Sequence, residues 1–138
     1  MFTKIMVPVD LAHAEKLERG LKAAGDLGKL YGASVVYVGV TSSAPGALGH
    51  NPEEYRQKLE AFAKAQQSEH GLATDIHVVV AHDPAVDINQ SLARSVDELG
   101  CDLVVMATHV PNLADHFMHS HGGQLATHTK ASVLLVRG

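Results

Sequence analysis

Asp10 is the first residue of this sequence whose type and position could do chemistry. It follows the run Val7-Pro8-Val9. A carboxylate there can accept hydrogen bonds from an amine or a sugar hydroxyl, or it can cap a helix that starts just after it. A second candidate is Ser120-His121-Gly122-Gly123. Small residues at a helix start leave backbone N–H groups approachable, and such a start can hold a phosphate. An ordinary N-cap by Ser120 accounts for the same four residues. A third feature is histidine: five of the ten, His109, His116, His119, His121 and His128, fall within twenty residues. Imidazole is a common metal ligand and a pH switch. The order His-x₂-His-x-His at 116, 119 and 121 matches no standard structural zinc spacing, however, and Asp115 is the only carboxylate in the segment. These histidines are expected to be polar loop residues, with no metal site.

Several chemistries find no support. No G-x-x-x-x-G-K-[ST] occurs, and no G-x-G-x-x-G follows the first strand-like run. Ser120 and His121 are adjacent, and neighbours in sequence rarely align as nucleophile and base. Cys101, the one cysteine, cannot close an intrachain disulfide. It is expected to open a buried strand, where a thiol is inert. With 11 basic and 15 acidic residues the net charge is −4, so no basic surface suits a nucleic-acid backbone. The residues favour binding over catalysis, and no enzyme activity is expected.

The elements that must position these residues come from two alternating patterns. Apolar runs rich in β-branched residues lie at 4–9, 34–40, 75–80, 102–106 and 132–136. Continuous runs of this kind suit strands buried on both faces of a parallel sheet. Helical spacing lies between them. Leu17, Leu21, Ala24, Leu27 and Tyr31 form one stripe that Gly32 ends. Asn51-Pro52 opens a second helix with Glu54 in the capping-box position and Tyr55, Leu59 and Phe62 as its stripe. Asp83-Pro84 opens a third, with Ala85, Ile88, Leu92, Val96 and Leu99 inward and Gly100 after it. A short fourth lies within Ser120–Thr129. The order β-α-β-α-β-α-β-α-β, with right-handed crossovers, gives a doubly wound α/β fold. A five-stranded parallel sheet in order 3-2-1-4-5 is expected, with ligands beyond the carboxyl ends of the strands where the order reverses. That crevice lies at the ends of strands one and four, Asp10 and Met106-Ala107-Thr108-His109. Thr41–His50 reads as a long loop after strand two.

The chain's 138 residues fit one domain, and the hydrophobic share of 46% with 19% charged residues fits a globule. No run reaches the ~18 apolar residues of a membrane span. Met1–Asp10 lacks the apolar stretch of a secretory signal. A cytoplasmic protein is expected. A phospho-acceptor receiver shares the topology, but it would need an aspartate ending strand three and a lysine ending strand five. Val80-Ala81-His82 and Val136-Arg137-Gly138 stand there instead.

Taken together, several segments resemble the universal stress protein family: Val7-Pro8-Val9-Asp10, Asp83-Pro84-Ala85, Leu99 to His109, and His128 to Arg137. The resemblance runs in order along nearly the whole chain. Many members bind ATP through G-x-x-G, a spacer of nine residues, then G-[ST]. The matching residues here are Ala107-Thr108-His109-Val110, eight residues, then His119-Ser120. Ala107, Val110 and His119 replace all three glycines, and only Ser120 fits. Glycine permits close backbone approach to a phosphate, so their loss bears on affinity. Gly122 and Gly123 are the nearest substitutes.

The resemblance implies that Val9 and Asp10 flank an adenine pocket and that Val40 meets the base. It also implies Ala107, His109 and Val110 near ribose and phosphates, and Ser120, with His121 and Gly122 beside it, at the phosphate. The implied ligand is ATP or AMP, with magnesium only if the nucleotide brings it. A stress-response regulatory module with weak or residual nucleotide binding follows. So does a homodimer through Ser132–Val136. A dimer that binds no nucleotide and serves an unknown protein partner is the other reading. No nucleic-acid or membrane partner is expected.

Overall fold

The computed structural model describes residues 1–42, 51–81, 84–108, 125–126 and 129–137. Five strands, β1 Lys4–Val9, β2 Ser34–Ser42, β3 Thr74–Ala81, β4 Leu103–Thr108 and β5 Ser132–Arg137, form one sheet in the order β3-β2-β1-β4-β5. Every pairing is parallel. The expected order therefore holds, with small shifts at the ends. Thr41 and Ser42, assigned to the loop, extend β2, and β4 starts at Leu103, after Cys101 and Asp102.

Helices α1 Glu18–Tyr31, α2 Pro52–His70 and α3 Pro84–Leu99 connect the strands. Their ends follow local chemistry. The Asn51 side chain accepts the Glu54 N–H at 2.9 Å, and Pro52 takes the first turn, where its missing N–H costs nothing. α1 stops at Gly32, whose φ of 65° is left-handed, and the Ala33 N–H closes onto Gly28 O at 2.9 Å. Leu17 lies just before α1, in a 3-10 segment Leu11–Leu17 that the helical spacing did not announce. His13, with φ −132° and ψ 38°, interrupts that segment. Leu125 and Ala126 are helical and Leu125 is buried, inside the span expected for the fourth helix.

The sheet is covered on both faces, which explains why its strands lack alternation. Ile5, Val7, Val35, Tyr37 and Val105 face Leu21 and Ala24 of α1 and Leu59 of α2. Met6, Val36, Val38, Val104 and Met106 face Leu92 and Val96 of α3 together with Leu125. At the amino ends of the strands Asp102 ties β4 to the start of β1. Its carboxylate accepts the Thr3 N–H at 2.9 Å, the Thr3 hydroxyl at 3.1 Å and the Lys4 N–H at 3.1 Å. Burial opposes the charge, but these donors outweigh it and hold the carboxyl below its ordinary range.

Candidate functional site

Strand β1 is central and its two neighbours cross over in opposite directions, so the sheet's order reverses at its carboxyl end. Asp10 stands there. Its backbone is extended, with φ −101° and ψ 99°, so its side chain reaches back over the turn that follows. Oδ1 accepts the Ala12 N–H at 3.1 Å, and Oδ2 lies 2.9 Å from Nδ1 of His13. The side chain nevertheless remains 61% exposed. Each carboxylate oxygen has a second lone pair, so Asp10 caps the turn and still presents an acceptor to solvent. Of the two roles left open by the sequence, the structure shows the cap.

His13 was not among the expected site residues. It sits three residues after Asp10, a spacing that brings side chains together on one turn, and the irregular dihedrals at His13 aim its ring back at the carboxylate. The Asp-x-x-His spacing was the available signal.

The remaining described candidates separate by face. Val9 is buried and packs in the layer between the sheet and helices α1 and α2, as does Ala107 of β4. Ala107 comes close to α1, where a Cβ on Gly20 would stand 3.0 Å from its own Cβ. Val40 packs into the opposite layer, against the α3 side. The sheet therefore divides the apolar candidates, and Val9 turns its side chain away from the layer Val40 occupies. Asp10 extends beyond the strand end, between the two. His109, Val110, Ser120, His121 and Gly122 lie outside the described residues, as do the other histidines of the 109–128 segment. Among the described residues no group of three or more His, Cys, Asp or Glu could hold a metal ion.

One further residue shapes this end of the molecule. Val9 is in register with Gly39, and Tyr55 of α2 lays its ring on Gly39. Burial pushes the Tyr55 phenol up to about 12, and the negative charge of Asp10 adds to the shift. The stripe spacing marked Tyr55 as buried, but not its position beneath the Asp10 turn. Cys101 is buried just before β4, and burial raises its thiol, against the opposing pull of Lys4. A thiol held protonated is a poor nucleophile.

A buried strand floor and an exposed carboxylate thus lie together at the reversal point of the sheet. The sequence model of the Universal stress protein family matches residues 1–137. Solved structures share the fold over nearly the whole chain. A protein of that family from Burkholderia pseudomallei is 23% identical, with TM-score 0.68, covering 97% of this chain and 95% of its own. A universal stress protein from Archaeoglobus fulgidus, solved in complex with dAMP, is 20% identical with TM-score 0.65, covering 96% of each chain. A family protein from Arabidopsis thaliana with AMP bound is 14% identical with TM-score 0.60, covering 98% of this chain and 91% of its own. With the family match running from the first strand through the last, this chain belongs to the universal stress protein family.

Proposed function

We propose that the chain is a regulatory module that binds an adenine nucleotide weakly at the Asp10 end of the sheet and carries out no reaction. The observation that carries this reading is the exposed Asp10 carboxylate at the end of the central strand. It is the acceptor that an amino or ribose hydroxyl group requires. Nucleotides in the Archaeoglobus fulgidus and Arabidopsis thaliana proteins support the choice of adenine. Val9 would flank the adenine pocket beside Asp10 and Val40 would meet the base, with Ala107, His109 and Val110 near the ribose and phosphates and Ser120, His121 and Gly122 at the phosphate. Ala107, Val110 and His119 stand where ATP-binding relatives carry glycine. Two or three lost phosphate contacts at about 1–1.5 kcal/mol each weaken affinity by roughly a hundredfold. AMP and ATP should then bind alike. Magnesium enters only with a nucleotide.

Calorimetry of AMP and ATP against the purified chain tests this. Acid release and chromatography of nucleotide carried through purification give a second reading. Weak, nearly equal binding is expected. Tight binding that strongly prefers the triphosphate would overturn the weak-site reading.

The glycine replacements also favour a second reading, a protein-interaction dimer without nucleotide. Leu134 and Leu135 of the edge strand β5 are 39% and 42% exposed. An apolar edge invites pairing with a second strand. Absence of any nucleotide binding together with a stable dimer would select it. The compartment we assign is the cytoplasm; among the described residues no helix is long and apolar enough to cross a membrane.

A further inference from the structure

Strands β1 and β4 are in register only toward their amino ends. The paired residues are Ile5↔Leu103 and Met6↔Val104, although both strands continue beyond them. On its other side β1 stays in register with β2 as far as Val9↔Gly39, and β4 stays with β5 as far as Thr108↔Arg137. Past Met6 and Val104, therefore, the two strands part, and the cleft between them opens toward Asp10 and Thr108. No ladder of hydrogen bonds fixes the width of that cleft, so another element must.

The start of α1 is that element. Gly20, in its first turn, is buried and stands over Ala107, the next-to-last residue of β4. A Cβ on Gly20 would lie 3.0 Å from the Ala107 methyl, nearer than the Ala107 Cα at 3.5 Å. The methyl thus points at the helix. Ala107 is 7% exposed and shares its layer with Val9, Leu17 and Leu21. Carbon atoms in ordinary contact stand about 3.5–4.0 Å apart, so only a glycine fits opposite this alanine without a shift. The helix is in turn tied to Asp10. Only the 3-10 segment Leu11–Leu17 lies between them, and it touches both α1 and β4. Leu17 anchors its end in the core, and Asp10 Oδ1 holds its start through the Ala12 N–H.

We propose that Gly20 and Ala107 are a positioning pair that sets the width of the β1–β4 cleft and the place of Asp10 at its mouth. The ligand is the adenine nucleotide of the reading above, on which the pair's role in binding rests. The Ala107 methyl is taken up by the helix, so replacing it with hydrogen rebuilds no phosphate contact. It leaves the start of α1 loose instead.

The test compares Gly20→Ala, Ala107→Gly and the double variant at a temperature where all are folded. AMP affinity is read by calorimetry, and backbone amide resonances are read on the nucleotide-free chain. Gly20→Ala should shift the Asp10, Ala12 and His13 amides and weaken AMP about fivefold or more. It should also lower the thermal midpoint, against the usual gain of alanine over glycine in a helix. The double variant moves the methyl from strand to helix, so amides and affinity should both return toward the parent. A substitution that only destabilised would not move the affinity of a folded chain, nor be rescued in this way. Ala107→Gly alone should weaken AMP. Three outcomes would overturn the proposal. One is a Gly20→Ala chain with a raised midpoint and unmoved Asp10 amides. Another is a double variant no closer to the parent than Gly20→Ala. The third is tighter ATP binding by Ala107→Gly, which would set the methyl against a phosphate. If the parent binds no nucleotide, that reading fails by itself, and the amide shifts and their return still decide for or against the pair.

Discussion

The ring of Tyr55 rests directly on Gly39, where the missing side chain leaves room for it. A Cβ at position 39 would lie 2.7 Å from Cε1 and 2.9 Å from Cζ of that ring. Tyr55 is 3% exposed and wedged between α2 and the sheet, so it has little freedom to move. Gly39→Ala should therefore cost about 1–3 kcal/mol, the usual range for forced overpacking. Tyr55→Ala in the same chain should make the alanine tolerable. Chemical denaturation of the two single variants and the double variant measures this. Equal stability of Gly39→Ala and the parent would refute the contact.

Asp10 shares its Oδ2 with His13, so a ligand that uses this oxygen competes with the imidazole. Asp10→Ala should weaken AMP and ATP about tenfold or more, since it removes a charged acceptor worth about 1.5–3 kcal/mol. His13→Ala frees the oxygen and should hold or improve affinity. If His13→Ala weakens binding as much as Asp10→Ala, the histidine orients the carboxylate rather than competing for it.

Asp102 contributes to the acid limb of stability. Its folded pKa lies below the unfolded value near 3.8. The stabilisation is thus fully present above that value and is lost as pH falls through the folded one. Asp102→Asn should lower the thermal midpoint at neutral pH, and the gap to the parent should close as pH drops below about 3.8. A gap that stays constant down to pH 2 would mean that the Thr3 and Lys4 donors do not discriminate charge.

Tyr37 and Tyr55 carry the corresponding alkaline prediction. Burial comes first in raising both phenols to about 12 from 10, with Glu69 adding to Tyr37 and Asp10 to Tyr55. Between those values the unfolded chain loses protons that the folded chain keeps. Stability present below pH 10 should therefore drain away as pH rises toward 12. Tyr37→Phe and Tyr55→Phe should each flatten this decline. In a Tyr31→Phe background, tyrosinate absorbance appearing near pH 10 without unfolding would contradict the burial of both hydroxyls.

Assembly through β5 predicts a simple charge effect. Leu134→Lys places an ammonium on the exposed edge strand, which discourages strand-to-strand pairing. Sedimentation should shift from dimer to monomer while the far-ultraviolet spectrum is kept. A parent chain that sediments as a monomer, or a variant that still dimerises, would remove β5 as the contact.

Much of this architecture was legible in local pattern. Asn51-Pro52 and Gly32 end helices through chemistry within a few residues, so each cap could be read directly. Unalternating runs announce strands covered on both faces, and their alternation with helices dictates the parallel order. Asp10 at the reversal point follows from that order alone.

Tertiary structure decided what local pattern leaves free. Spacing marks Tyr55 as an inward residue, but only the seating of α2 on β2 lays it over Gly39. Val9 and Val40 both end strands, and the register Val9↔Gly39 sends Val9 to one layer and Val40 to the other. The kink at His13 turns a nearby imidazole onto Asp10. Gln66 reads as an ordinary polar helix residue until α1 closes beside it and shuts out water. The reason is common to all four. Periodicity states which side of an element is buried, while the slide and register between elements choose the partner, and those depend on how the whole core packs.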